Sequence, residues 1–367
     1  MNNSLETVYV LGAGFTRGLT AYRRKADSKY VSPLDDDFLK RALEFEQSVS
    51  TTANGHSRTR KSRGGWLERF ADALKIICEG DEEAERGVGR LEERLKSRVA
   101  KFDFLAAVSP KDAQKRKSNA KYLKSAAELI ALLLTQVRCQ NRKLLEDYVA
   151  LIFEKDVSGN FKNRVITFNY DDVLENAALS QKLISKIDLH SLSGKPTPSS
   201  EAFGTNSDPV ILNLHGSIKW RTSPDGFEAL LGFRPSSEFQ SVEVWQRDST
   251  ALSTWPSNEL PVIIPPMPNK PIYNNGFLKY LWQIAFNNLI SAEELVVIGY
   301  SFPSQDDQAR QLFLNLSSKK ARLKQVVLVD TNPEILKRVK ELLNMPRVEF
   351  RYYASLESFY AARANNH

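Results

Sequence analysis

The chain has 367 residues, 42% of them hydrophobic, enough to bury a sizeable core as one large or two ordinary domains. Its net charge of +7 suits an anionic partner such as a nucleotide or nucleic acid. No apolar run is long enough to span a bilayer, the polar residues before the first strand lead to the expectation of no signal peptide, and with Cys78 and Cys139 as the only cysteines no four-cysteine zinc site or disulfide framework is expected.

The first apolar run, residues 7–11, reads as a strand from its β-branched and aromatic content, and Gly12 breaks it. Gly12-Ala13-Gly14 follows directly. Glycines there let the backbone turn tightly and approach a pyrophosphate, whose charge meets a helix N-terminus. The spacing to Gly18 is one residue longer than G-x-G-x-x-G, so the loop alone is also a plain structural turn. Thr16 and Arg17 add a hydroxyl and a cation near the phosphates. Asp35, Asp36 and Asp37 open a helix expected over 35–48, with Phe38, Leu39, Ala42, Leu43 and Phe45 as its apolar set.

Residues 49–65 are polar and glycine-containing and read as a loop. This loop holds the most basic patch, Arg58, Arg60, Lys61 and Arg63. No aromatic residues interleave it, so it reads as a solvated segment and gives only weak support to direct nucleic-acid binding. Helical spacing then dominates to about residue 154. Trp66, Phe70, Leu74 and Ile77 recur every three to four residues, and Leu91, Leu95 and Val99 follow suit. Ser109-Pro110 marks a helix start leading into the run 129–134, and another helix covers 142–153. The expectation is a helical insertion over 49–159.

Short aliphatic strands return at 164–168, 210–214, 262–264, 295–299, 326–330 and about 348–352. Helical patterns at 275–291, 306–316 and 333–343 separate the last four. Alternation of buried strands and helices predicts an α/β fold, a Rossmann-like doubly wound parallel sheet built from 1–48 and 160–367. Ligands of such sheets bind beyond the carboxyl ends of the strands. Asn169 stands at one such end, either as a turn former or as a ligand-holding amide, and one of Asp171 and Asp172 is placed to cap the next helix. His215 ends another strand, before Gly216, and of the four histidines it is the best placed for acid–base work. The alternative is a hydrogen-bonded core residue. Gly299, Tyr300 and Ser301 end a further strand, and Asp330, Thr331 and Asn332 the next. These contact ribose or adenine, or they cap the helix before Pro333.

Five stretches taken in order, Gly-Ala-Gly-Phe-Thr at 12–16, Thr-Phe-Asn-Tyr-Asp at 167–171, Leu-His-Gly-Ser at 214–217, Gly-Tyr-Ser at 299–301 and Val-Asp-Thr-Asn at 329–332, resemble the sirtuin family. The likeness is closest to its divergent branch in bacterial antiphage defence proteins. The resemblance implies a Rossmann-like fold that takes NAD+ as substrate. It implies that Gly12, Ala13, Gly14 and Thr16 cradle the phosphates and that Asn169 engages the nicotinamide ribose and an attacking water. Asp171 would contact the carboxamide, His215 would act as base at the ribose hydroxyls with Gly216 beside it, and Gly299 and Ser301 would lie by phosphate and ribose. The four zinc cysteines of deacylase sirtuins are absent, and Ser32-Pro33-Leu34-Asp35 is at best a remnant of their Gly-Ile-Pro-Asp-Phe-Arg segment.

Those departures point away from acyl-lysine chemistry and toward NAD+ glycohydrolysis without a metal, depleting NAD+ in antiphage defence. Cleaving the nicotinamide–ribose bond builds positive charge on the sugar, as in glycosidases. Nicotinamide leaves neutral, so no acid is needed for it. The two ordinary thiols and the lack of a long apolar run lead to the expectation of a cytoplasmic protein. An activity of this kind implies gating by self-assembly into a homo-oligomer or, from the resemblance, by a HerA-type hexameric ATPase or helicase. The alternatives are a catalytically weak nucleotide-binding or scaffold subunit of such a complex, and a zinc-free deacylase or ADP-ribosyltransferase.

Overall fold

The computed structural model of the chain describes residues 6–20, 32–33, 37–54, 66–86, 88, 90–91, 93–95, 110–137, 139, 141–184, 210–231, 245–246, 258–265, 276–303, 306–318 and 321–365. In chain order the first elements are β1 (Thr7–Leu11), α1 (Ala13–Thr20), α2 (Phe38–Asn54), α3 (Trp66–Cys78), α4 (Glu82–Glu85), α5 (Pro110–Leu134) and α6 (Arg142–Ile152). Then come β2 (Asn163–Thr167), α7 (Val173–Ser180), β3 (Ile211–Asn213), β4 (Gly216–Thr222), α8 (Pro224–Leu230), β5 (Trp245–Gln246) and β6 (Leu260–Ile263). The last are α9 (Gly276–Ser291), β7 (Glu294–Ile298), α10 (Asp307–Ser318), β8 (Gln325–Val329), α11 (Glu334–Leu343), β9 (Glu349–Tyr353) and α12 (Leu356–Ala364).

The chain forms two compact units. The first comprises Met1–Arg24, Cys139–Leu214 and Phe277–His367. Its six strands lie parallel in the order β3-β2-β1-β7-β8-β9. Renumbered within the sheet, this is the 3-2-1-4-5-6 order of a Rossmann-type doubly wound fold. The two central strands, β1 and β7, are buried at every residue, as strands covered on both faces must be. The terminal strand β9 is half-buried to exposed and carries Glu349 and Arg351. At the amino end of the sheet the buried Glu294 carboxylate is satisfied by Thr7 Oγ1 (3.0 Å) and by an ion pair with Arg363.

Tyr148 lies at the centre of the packing between α1, α6 and α12. Its ring meets Phe15 edge-on at 5.7 Å and stacks on Phe359 at 6.1 Å. Its hydroxyl donates to the Leu356 carbonyl at 2.8 Å. Burial drives the phenol pKa upward, so it stays a donor at any ordinary pH.

The second unit comprises Lys25–Arg138 and His215–Gly276. Here α3 packs on α5, and Phe45 of α2 meets Phe70 edge-on at 5.2 Å. Arg94 closes the carboxyl end of α3 by donating to the carbonyls of Ile77 (2.8 Å), Cys78 (3.1 Å) and Glu79 (2.9 Å), where a cation meets both orphan carbonyls and the negative helix end. A small antiparallel sheet, β5-β4-β6, completes the unit. Among the described residues no helix is long and apolar enough to cross a membrane.

The parallel sheet is as the alternation of patterns predicts, with three differences. The run 262–264, read as one more parallel strand, lies in β6, antiparallel to β4, because aliphatic content fixes burial and not pairing direction. Pro261 fits there, since β6 is at the edge of its sheet. Helix α2 starts later than expected and continues to Asn54, into the stretch read as loop. The units also divide at points other than the expected 49–159 insertion. Helix α6 belongs to the sheet unit, packing against β2 and α7, and the second unit takes the strands from 215 onward. The patch Arg58–Arg63 and the cap Ser109 lie outside the described residues.

Replacing Tyr148 with Phe removes the hydroxyl's bond to the Leu356 carbonyl and is expected to lower stability by about 0.5–1.5 kcal/mol. Phe359→Ala is expected to cost about 3–5 kcal/mol through the cavity it opens. Urea unfolding of both variants checks the order.

Candidate functional site

Strand register puts the ends of the parallel strands level. Leu11 pairs with Thr167 and with Ile298, Thr167 with Asn213, Ile298 with Val329, and Val329 with Tyr353. The residues that leave the sheet together are therefore Gly12, Phe168, Leu214, Gly299 and Asp330. The chain order reverses between β1 and β7, so the crevice of the fold opens at Gly12 and Gly299.

At that point two loops meet backbone to backbone. Gly12 N–H donates to Ile298 O (2.9 Å) and Gly14 N–H to Gly299 O (3.0 Å). A Cβ at Gly12 would stand 2.5 Å from Tyr300 Cα, and one at Gly14 would stand 2.8 Å from Gly299 Cα. Gly299 itself has φ +60°, and a Cβ there would reach Gly14 C at 2.5 Å. These glycines thus serve the close approach of β1 and β7 first. With the Gly12 and Gly14 N–H groups engaged, Ala13 at the start of α1 is the exposed residue of the loop.

Asn169 is held from both sides and is 7% exposed. Its Nδ2 donates to Gly12 O at 3.0 Å and to Thr16 Oγ1 at 3.3 Å, and its own N–H donates to Thr167 Oγ1 at 3.1 Å. These bonds fix the amide orientation and leave Oδ1 buried without a hydrogen-bond partner. An unmet buried acceptor costs about 1–3 kcal/mol, so this oxygen is suited to a donor on a ligand. Thr16, expected near phosphate, is instead turned inward and donates to Asp171 Oδ2 at 2.9 Å. A polar chain results, Asn169 to Thr16 to Asp171.

Asp171 accepts Val173 N–H on Oδ1 at 3.2 Å and so makes the turn into α7, while Asp172, at the N-cap, makes no side-chain cap bond. Burial pushes the Asp171 carboxyl up to about 7, and the charges of Glu175 and Asp172 add to the rise against the bonds from Thr16 and Val173.

The other residues expected at the site divide. Tyr300 stacks on Phe168 with ring centroids 4.2 Å apart and planes 13° apart, and its hydroxyl donates to Asp306 Oδ2 at 3.3 Å. Trp282 meets Phe168 edge-on and donates from Nε1 to Leu214 O at 3.1 Å. Ser301 is exposed, and its carbonyl accepts from Arg338 at 2.7 Å. Asp330 Oδ1 accepts Asn332 N–H (2.8 Å) and Asn332 Oδ1 accepts Glu334 N–H (3.0 Å), so these two side chains shape the turn into α11. Burial raises the Asp330 carboxyl as well.

His215 and Gly216 belong to the second unit, which the chain enters on leaving Leu214. His215 is 6% exposed, and its carbonyl accepts Ile264 N–H at 2.8 Å. Gly216 has φ +91°, and a Cβ there would stand 2.8 Å from Val262 C and would collide with the Val262 carbonyl oxygen. Its missing side chain therefore serves the pairing of β4 with β6. The sheet unit brings together Gly12, Ala13, Gly14, Thr16, Asn169, Asp171, Gly299 and Tyr300, with Ser301, Asp330 and Asn332 along the same sheet edge.

Sequence reasoning missed the Phe168–Tyr300 stack and the Asn213 Nδ2 to Glu175 Oε1 bond (3.0 Å) behind it. Phe168 lies inside the quoted Thr-Phe-Asn-Tyr-Asp stretch, and an aromatic ring as the last residue of the strand expected over 164–168 was the available signal. Among the described residues no cluster of His, Cys, Asp and Glu is placed to hold a metal.

These features define a Rossmann-type α/β protein with a polar site at the switch point of its sheet. The model of the SIR2-like domain family matches residues 163–350, just over half of the chain, and the chain belongs to that family. Among curated proteins none matches it in sequence. Two solved structures align over most of their length. One is an ADP-ribose complex of a mutant Sir2 homologue (13% identity, 80% of this chain and 95% of that one, TM-score 0.38). The other is a Sir2 homologue–NAD complex (13% identity, 81% and 93%, TM-score 0.37).

The raised Asp171 carboxyl sets a sign for pH dependence. Unfolded, it titrates near 3.8, and folded, near 7. The folded state holds the extra proton, so this group makes stability fall as pH rises from about 4 to about 7, with no further effect above. Asp171→Asn is expected to flatten that part of the curve, checked by urea unfolding at a series of pH values.

Proposed function

We propose that the chain is an NAD+ glycohydrolase, releasing nicotinamide and ADP-ribose, and that it works as an NAD+-depleting effector of antiphage defence. The observation that carries this reading is the buried, oriented and unpartnered Asn169 Oδ1 beside the switch point. A ribose hydroxyl or the attacking water supplies the donor that this oxygen lacks. Membership of the SIR2-like family supports NAD+ as the ligand, and in this reading Ala13, exposed at the start of α1, faces the phosphates.

In the reaction the bond from ribose C1′ to the pyridinium nitrogen breaks and its electron pair stays with nicotinamide. Water forms the new C1′–O bond, and the proton it gives up is the net H+ of the hydrolysis, released to solvent. Asn169 holds sugar and water in place. The protonated Asp171 adds a donor for the carboxamide; the part of base at the ribose hydroxyls, taking a proton and returning it as the product forms, is what the resemblance implies for His215. No zinc ligand set supports acyl-lysine chemistry in this sequence. Activity this costly to a cell is gated, through self-assembly or a HerA-type hexameric ATPase.

One observation favours a second reading, a nucleotide-binding subunit with little turnover. Two of the three N–H groups in the glycine loop are spent within the sheet. Purified protein, alone and reconstituted with its assembly partner, is incubated with NAD+ and nicotinamide is followed by chromatography. Release by wild type and a loss of roughly 100-fold or more in Asn169→Ala and in His215→Ala are expected. Binding of NAD+ with no release in either setting selects the second reading, and absence of both overturns the proposal.

A further inference from the structure

A cavity of about 200 Å³ lies in the sheet unit between α10 and α11, lined by Phe302, Arg310, Leu314, Arg338, Glu341 and Leu342. It is separate from the glycine loop, Asn169 and Asp171, none of which lines it. Its chemistry is mixed. Phe302, Leu314 and Leu342 make an apolar wall, and two arginines also line it. Arg338 uses Nη1 to hold the Ser301 carbonyl at 2.7 Å. The half-buried Arg310 side chain has no hydrogen bond or ion pair among the described residues. Glu341 adds a negative charge at the exposed edge of the cavity.

The backbone beneath the cavity is strained. Phe302 has φ +51°, a conformation that a bulky side chain rarely adopts. Its ring is wedged between Tyr300 at 4.8 Å and Phe313 at 4.9 Å. Residues 299–302 therefore connect two places. One end, Gly299, accepts the Gly14 N–H at the switch point, and the other end forms the cavity wall.

Size and charge select the occupant. The volume matches one aromatic ring with a small substituent and falls short of a dinucleotide. Paired arginines match the planar fork of a carboxylate. The Glu341 carboxylate disfavours a doubly charged phosphate more than a single negative charge.

We propose that this cavity is an effector site for a small aromatic monocarboxylate, held by Arg310 and Arg338 against Phe302, whose occupancy is passed to the switch-point loop through the Arg338–Ser301 contact. Binding goes beyond the glycohydrolase reading and does not depend on it.

Nicotinate serves as the probe, with nicotinamide as the uncharged ring of the same shape. In calorimetry with the full chain, nicotinate is expected to saturate one site, and nicotinamide to bind about tenfold more weakly or worse. Arg310→Gln is expected to weaken nicotinate about tenfold, and Leu314→Trp to abolish binding by filling the cavity. Hydrogen exchange of residues 299–303 is expected to change on adding nicotinate to wild type and not to Arg310→Gln. No saturable binding, binding unchanged in both variants, or one-for-one displacement by NAD+ overturns the site. Binding without the exchange change overturns the coupling. NAD+ turnover is scored separately, so a failed glycohydrolase assay leaves these outcomes readable.

Discussion

Two backbones touch at the centre of the parallel sheet, and the glycines there are required by that contact. Gly12 and Gly14 give hydrogen bonds to Ile298 and Gly299, and any Cβ on the three glycines would strike the opposing loop. The carbonyl of Gly12 then anchors the Asn169 amide, and Asn169 in turn engages Thr16. A chain of directed bonds thus runs from the contact between the loops after β1 and β7 into the polar site. Loosening that contact would shift the Asn169 amide, which is held at two points.

The site draws its chemistry from what the fold leaves unfinished. Most of its polar groups are satisfied by one another: Thr16 by Asp171, the Asp171 carboxylate by Val173, Asp330 by Asn332. The Asn169 carboxamide oxygen is the exception. A buried acceptor kept empty at a cost in stability is what differential binding of a ligand requires, since the oxygen gains a partner only when the ligand arrives. Asp171 is a second exception of another kind. Its carboxyl is satisfied in number but not in charge, and so it holds its proton into the neutral range.

Much of this was legible in the residues. The aliphatic runs named the parallel strands to within a residue or two, and the glycine loop, Asn169 and Asp171 announced themselves by standing where strands end. What could not be read was direction and contact. Residues 260–263 are as aliphatic as the true sheet strands, yet they pair antiparallel beside β4. The glycine loop looked like a phosphate cradle, and two of its N–H groups prove to bind the neighbouring strand's loop. Thr16 looked like a phosphate ligand and faces a carboxylate 155 positions away. A hydrogen bond at that separation leaves no periodicity in the chain.

The level strand ends have a consequence for how such a chain can change. Leu11 and Thr167 are paired partners in adjacent strands, yet the crossover between them carries most of a second compact unit. Closing a longer loop costs only about 0.6 kcal/mol per doubling of its length. The crossover can therefore lengthen, shorten or be exchanged while the ladder keeps Gly12 and Phe168 side by side. In this architecture the address of a site residue is its distance from the last strand pair, and the text between strands is open to rewriting.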